Sequence, residues 1–547
     1  MELQYPLMRM WHLCNDVDVG MYREELTELL KLAWPMSLQY LTTMLPDLVS
    51  QGFCGHIGKE EGDGVAISLN IVSALGFAVL AGLSSAADTL FSQIQGSGNR
   101  EELGVVLQRG TLIMLLCCFP CCAILLNAGL ICRVVGQDEE VARVAGEYAT
   151  ILMTGLPGYG LILLLSKFIQ VQSVVLPSLI IGIIINIENV ALHALFIYDL
   201  ELGIRGAAIA VVLSLWTSVI LHVLFIACTG YKKDTWKGWN KLCLNEWSTF
   251  LKLAVPGIFM MCLEIWTSEV TTFFTGLTSK TEFAAYASLF IVGLMITGVV
   301  FGMSVAVSMR MGIHLGAGNT DQANVSTRVT IGFGTCVAVV IAVLLVSLKD
   351  VIPHFFSNNE AVVSMATSLT PLLAIFKFFE IYQIMCTGIL RGIGFQTFGA
   401  VVNFIGNFLI GFPVALSLMF ASPLRVAGAW WGAIAGAVVL CVAFTIKINT
   451  VDWKQESIKA RKRVGIKMED NTWIVNDEAE SMQLGDQTRE IKDYRSFDTS
   501  VESGIVSSNT PPSSATNNFE VYSKVVTLVI ASLIFAGGLS LRLYVNG

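Results

Sequence analysis

Apolar residues in this chain come in long unbroken runs, not in alternation with polar ones. Runs of roughly 20 residues, enough for a helix to cross a hydrocarbon core, fall at 33–54, 65–91, 105–127, 147–166, 174–198, 204–228, 251–277, 284–310, 328–348, 363–389, 398–420, 426–446 and 525–545. Barrel strands would appear as shorter segments with a period of two, so the pattern predicts thirteen spanning helices. The predicted fold is an all-α polytopic membrane protein.

The pattern also repeats. "LLKLAWP" at 29–35 returns as "FLKLAVP" at 250–256, "GSGN" at 96–99 as "GAGN" at 316–319, and "LGIRGAA" at 202–208 as "LRVAGAW" at 424–430. The offset stays near 220 residues, which points to a duplicated six-helix unit. Six is even, so both copies enter the membrane in the same direction and form a parallel repeat with a pseudo-twofold axis along the membrane normal. This divides the chain into an N-terminus at 1–28, a first bundle at 29–230, a linker at 231–249 and a second bundle at 250–447. A charged and Ser/Asn/Thr/Pro-rich tail at 448–523 reads as disordered, with its basic 459–467 patch placed on anionic lipid. A thirteenth helix occupies 524–547.

Composition agrees: of 547 residues 54% are hydrophobic and 14% charged, outside the range of soluble domains. Lys and Arg concentrate in alternate breaks, among them Arg23, Lys31, Arg100, Lys167, Lys232, Lys237, Arg310, Arg328 and Arg391, which places the N-terminus in the cytoplasm. An odd number of helices then puts the C-terminus outside. The opening "MELQYPLMRMWHLCNDVDVG" lacks the basic start and apolar stretch of a cleaved signal. Cys54 and Cys132 fall near the outer face, as a pair or as free thiols, and the sequon at Asn324 falls inside. No phosphate loop, zinc motif or catalytic triad is present, so the chain reads as no enzyme, without cofactor or metal, and no nucleic acid partner is expected.

Acids within spanning segments are costly, about 2.5 to 3.5 kcal/mol on insertion scales, and mark cavities. Glu264 stands near the middle of the seventh run, with Glu269 about 140° around the helix from it. Asp47 occupies almost the same repeat position as Glu269, twelve residues after Pro35 against thirteen after Pro256, so the two acids would face each other if both point inward. Glu380 has Lys377 one turn away, as an ion pair or a charge relay. Asp88 reads as a capping or ion-pairing residue, and Glu188 either as part of a network with its flanking Asn residues and His193 or as a substrate contact. Tyr40, Trp266 and Tyr382 supply aromatic faces for a lipophilic cation. A site that holds either a proton or a cation exchanges them.

The repeated KLAxP, "FCGHIGK" at 53–59, "GLSSAADTLFSQ" at 82–93, "LQRG" at 107–110, "LCCFPC" at 116–121, "MMCLEIW" at 260–266, "LGAGN" at 315–319 and "GILRGIG" at 388–394 closely resemble animal multidrug and toxin extrusion (MATE) transporters. The resemblance implies two six-helix bundles around a V-shaped cavity. It implies export of organic cations and other xenobiotics in exchange for protons by alternating access, at the plasma (apical) membrane, by a monomer. Family carboxylates carry over onto Glu264, Glu269 and Glu380, and a polar residue of the first helix onto Gln39. Where family members carry a further acid in the eighth helix this chain has Ile291. Two alternatives stand beside this reading: a sodium-coupled exporter using Asn186 or Asn407 as extra oxygen ligands, and a flippase for lipid-linked substrates.

Overall fold

The computed structural model describes residues 19–229, 235–469 and 472–475. Twelve helical passes run back and forth through it. The first bundle comprises α1 (Val19–Ile57), α2 (Lys59–Ser97), α3 (Glu102–Leu125), α4 (Glu139–Gln170), α5 (Leu176–Asp199) and α6 (Gly203–Cys228). The second comprises α7 (Trp247–Thr275), α8 (Lys280–Ala317), α9 (Thr320–Ser347), α10 (Glu360–Ile393), α11 (Gln396–Phe420) and α12 (Ala427–Asn449).

Eleven of these are long and apolar enough to cross a membrane. The exception is α1, which carries Gln39, Asp47 and two prolines along its length. It belongs to the bundle through its packing on α5 and α8, not through an apolar surface. The expected span at 525–545 lies outside the described residues.

Odd-numbered helices rise from the end that carries residue 19, here called the base; even-numbered helices return to it from the mouth. Near the base the bundles meet closely: α2 lies against α7 and α8, and α1 against α8. Small residues permit this, as in other helix contacts where lipid supplies no hydrophobic drive. A side chain on Gly82 would run into the backbone of Gly257 and Ile258, and one on Gly302 into the backbone of Met36 and Ser37. Polar bonds close the same seam. Thr89 donates to the Arg391 carbonyl at 2.6 Å and Gln93 to the Gly392 carbonyl at 3.1 Å.

Glu25 of α1 is buried and takes two bonds from Arg310 of α8 and one from His314 Nε2 at 3.1 Å. Arg310 therefore acts as a cross-bundle tie and not, as the loop reading has it, as a free inside charge. Lys167 and Arg391 are likewise buried within α4 and α10. All three sit near the base, folded into the protein and not free in a loop.

The expected disordered tail from 448 onward needs correction at its start. Residues Trp453–Arg463 form a further helix, α13, with Asp452 as its N-cap accepting from the amides of Lys454 and Gln455. Ser457 donates to the Leu315 carbonyl at 3.0 Å, and Arg461 donates to the carbonyls of Gly316 and Ala317 at the end of α8. Arg463 donates to the Ile393 carbonyl at the end of α10, at 2.7 Å. Cations at helix C-termini meet unsatisfied carbonyls and the negative end of the dipole. Arg461 and Arg463, from the patch expected on lipid, are used in this way. A short antiparallel pair, β1 (Ile466–Glu469) and β2 (Thr472–Val475), follows, so the described chain is not purely helical.

Cys54 and Cys132 are both buried free thiols, so no bond joins them.

Removing Glu25 would strand Arg310 at a buried seam. Glu25→Ala is expected to cost about 3 to 5 kcal/mol, read as a lower unfolding temperature of the detergent-solubilised protein. An unchanged melting curve would show that this tie does not hold the base together.

Candidate functional site

Above the base the bundles diverge around one large cavity of about 460 Å³, within the range of small-molecule sites. Both bundles line it. The first contributes Gln39, Tyr40, Asp88, Lys167, Asn186 and His222; the second contributes Glu264, Thr297, Lys377, Glu380, Arg391 and Asn407.

Glu264 projects from α7 beside Met261, Ile265 and Ser268. It has no hydrogen bond or ion pair among the described residues. Glu380 differs: Lys377 donates to it from one turn away on α10, and Thr297 of α8 donates to it at 3.2 Å. Lys377 Nζ also donates to Thr297 Oγ1 at 2.8 Å and lies 5.1 Å from the Phe376 ring centre. Glu380 is thus internally compensated, whereas Glu264 faces the cavity alone.

The polar residues have definite partners. Gln170 Nε2 donates to Gln39 Oε1 at 2.6 Å. Asn186 Nδ2 donates to the carbonyls of Thr42 and Gly182 at 2.9 and 2.7 Å, leaving its Oδ1 free of any bond among the described residues. Asn407 Nδ2 donates to Asn403 Oδ1 at 3.2 Å. Tyr40 stacks obliquely on Phe301 with ring centres 5.0 Å apart, making an aromatic wall where the two bundles meet.

Four residues expected at the site are not part of the lining. Trp266 turns its indole away, donating to the Ala74 carbonyl of α2 at 2.9 Å. Tyr382 pairs with Thr445 of α12 at 2.9 Å inside the second bundle. Glu269 is half-buried outside the cavity, in the sector of α7 that its 140° offset implies. Asp47 lies one turn before Ser50, whose hydroxyl reaches Tyr148 at 2.8 Å and His193 Nε2 at 2.7 Å. Asp47 and Glu269 therefore do not face each other across the cavity: their repeat positions differ by one residue, which is about 100° of rotation on a helix.

The expected Glu188 network also divides. Glu188 accepts from Thr217 at 2.9 Å, while His193 Nδ1 donates to the Asn189 carbonyl at 2.8 Å, so its Nε2 accepts from Ser50. Ile291 is 40% exposed on the outer side of α8, and that helix lines the cavity with Tyr286, Phe290, Gly293 and Thr297 instead. The departure at Ile291 removes no cavity group.

The ion-pairing role read for Asp88 holds, but the sequence reading missed its partners and the cavity floor they form. Asp88 of α2 accepts from Lys167 Nζ at 2.8 Å and lies 3.5 Å from Arg391. Three charged side chains from α2, α4 and α10 thus meet where the bundles close. A usable signal was the spacing of Arg391, eleven residues and about three helical turns beyond Glu380 on the same helix.

The MatE family model matches the chain twice, over residues 35–195 and 256–416. The chain belongs to the MatE family. The two matches are offset by 221 residues (from 35 to 256 and from 195 to 416), the period of the internal repeat. The MatE protein described here is 40% identical over 446 residues to Multidrug and toxin extrusion protein 2 of Mus musculus, a match covering 81% of this chain and 78% of the relative. It is 38% identical over 447 residues to Multidrug and toxin extrusion protein 1 of Homo sapiens, covering 82% and 78% respectively. The eukaryotic MATE transporter AtDTX14 superposes with a TM-score of 0.78 at 28% identity, over 81% of this chain and 100% of that one. A mutant of the Vibrio cholerae MATE transporter VcmN, at 16% identity and a TM-score of 0.71, shares the fold.

In a background lacking other reactive thiols, Glu264→Cys and Asn407→Cys are expected to react with a membrane-impermeant thiol reagent that enters by the mouth, and Asp47→Cys to remain unlabelled. Equal labelling at all three positions would contradict this division of the acids.

Proposed function

We propose that this MatE protein exports organic cations in exchange for protons, by alternating access of the central cavity to the two sides of the membrane. The observation that carries the proposal is Glu264: an acid in a large, partly aromatic cavity with no cationic partner among the described residues. A carboxylate in that position is compensated either by a proton or by a cationic ligand, and desolvation makes leaving it bare expensive. Proton and substrate then compete for one group.

The base faces the cytoplasm in this reading, in keeping with the basic residues gathered there, and the protein sits in the plasma membrane. With the cavity open through the mouth, Glu264 takes a proton from outside and releases the cation. Once the base seam has parted, the proton leaves and a cytoplasmic cation replaces it. Rings such as Tyr40 and Phe301 add cation–π attraction. Glu380 enters the exchange only when it gives up Lys377, so Glu264 is the first group to meet substrate. One unit of pH difference supplies about 1.4 kcal/mol per proton, enough for roughly tenfold accumulation at one-for-one exchange.

Efflux of a fluorescent organic cation from proteoliposomes under an imposed pH gradient tests this. Wild type is expected to follow the proton gradient, and Glu264→Gln to lose at least about tenfold in rate. Glu380→Gln leaves Lys377 as a bare cation in a cation site and is expected to impair export, with Lys377→Gln added in the same chain restoring part of it. Export that ignores pH and follows sodium would contradict proton coupling, and an unimpaired Glu264→Gln would contradict the assignment of the exchanging group.

A further inference from the structure

The helix α13 is short, strongly basic and two-faced. Five of its eleven residues are Lys or Arg and one is an acid. Trp453, Ser457, Ala460 and Val464 follow at i, i+4, i+7 and i+11 and form one face. That face lies on the base: Ser457, Ala460 and Val464 are buried, and Trp453 packs against the core. The opposite arc exposes Lys454, Ile458, Lys459 and Lys462.

Few contacts hold α13 in its seat. Its apolar face offers one large side chain, Trp453, which is only partly covered. The rest is hydrogen bonding, from Ser457 to the Leu315 carbonyl, from Arg461 to Gly316 and Ala317, and from Arg463 to Ile393. Exchange with water recovers most of what such bonds contribute. One group opposes the seat: Glu456 is buried and accepts from Lys459 at Oε1, while its Oε2 is buried with no hydrogen-bond partner among the described residues. A buried carboxylate oxygen without a donor is costly, and release of α13 would hydrate it. Both ends of the helix are jointed. Residues 450–452 interrupt the helical backbone after α12, and Gly465 follows α13 at a φ of +80°.

The position of the seat gives it consequence. α13 rests on α8 and α9 and also touches α2 of the other bundle. There α2 and α8 meet backbone to backbone: a side chain on Gly96 would strike the Ile313 carbonyl, and one on Gly316 the Gln93 carbonyl. α13 therefore covers the seam that has to part before the cavity opens at the base.

A helix of eleven residues is marginal on its own in water, so α13 away from the base needs another surface to hold it. Its pattern fits a groove lined with apolar side chains and rimmed by acids, which takes a basic helix by anchors at i, i+4 and i+7. A lipid surface would answer the lysines, but the exposed arc offers it a single apolar side chain, Ile458, and leaves the apolar face on the base. We infer that α13 is the docking segment for an acidic, calcium-loaded helix-binding protein of the calmodulin class, and that docking lifts it from the base seam. Calcium opens the groove of such a protein, so a rise in cytosolic calcium uncovers the seam. The inference rests on the reading that the base faces the cytoplasm.

Purified calmodulin is the probe and the full-length protein in detergent the target. Binding is expected in calcium and is expected to be at least about tenfold weaker in a chelator. Lys454→Glu combined with Lys462→Glu reverses charge on the exposed arc and is expected to weaken binding by at least about tenfold. Ser457→Ala removes one bond to the base and no charge. It lowers the cost of release, so binding is expected to tighten about two- to tenfold. No binding in calcium, or equal binding in the chelator, overturns the inference. Binding to Ser457→Ala that is no tighter than to wild type overturns the release of α13. Binding that occurs in phosphatidylcholine nanodiscs and vanishes in phosphatidylserine ones gives the helix to the lipid surface and overturns the assignment. Detergent has no sides, so failure there leaves the cytoplasmic placement of the base standing. Calmodulin that binds intact cells from outside overturns that placement, and the inference with it.

Discussion

A charge inside a bundle that lipid surrounds must be answered by another charge, a hydrogen bond or a cavity, and the architecture of this protein follows from how each charge is answered. Glu25 is answered by Arg310 and His314 at the base, Asp88 by Lys167, and Glu380 by Lys377. The first of these, with the close approach of α2 to α7 and α8, ties the bundles together at the base. Glu264, which has no hydrogen bond or ion pair among the described residues, is left facing the cavity.

This gives the cavity its chemistry. The base seam, made of small residues and carbonyl bonds, has little side chain to rearrange when it parts. It is closed further by α13, whose arginines bind the ends of α8 and α10. A change of access therefore needs the breaking of a few ties, Glu25 with Arg310 and Thr89 with the Arg391 carbonyl among them. Ligand at Glu264 lies toward the mouth from those ties, on a helix that packs directly on α2.

The fold was largely legible in the sequence because its signals are one-dimensional. Run lengths gave the helices, and a duplicated "KLAxP" gave the two bundles. Within the site, Glu264, Glu380, Lys377, Gln39, Tyr40, Asn186 and Asn407 line one cavity, since the cost of a polar group in lipid is visible in composition alone. Helix rotation was not visible. It decides that Asp47 and Glu269 turn away and that Trp266 and Tyr382 serve packing. Lys167 and Arg391 read as loop charges because they stand near segment ends, and only the tertiary structure shows them folded inward onto Asp88. The start of the tail was misread for a related reason: a basic, charged segment looks solvated until the helix ends that its arginines cap are placed beside it.

The most direct test of the central claim, that one carboxylate at Glu264 holds either a proton or a cation, is the number of protons released when a cation binds. Calorimetric titration of the detergent-solubilised protein with a quaternary ammonium ligand, in buffers of different ionisation enthalpy, counts them without any gradient. The expected result is release of up to about one proton per cation in wild type, rising as the pH is lowered toward the point where the acid is fully protonated, and none in Glu264→Gln. Cation binding without proton release in wild type at any pH, or the same release in both proteins, would contradict the account.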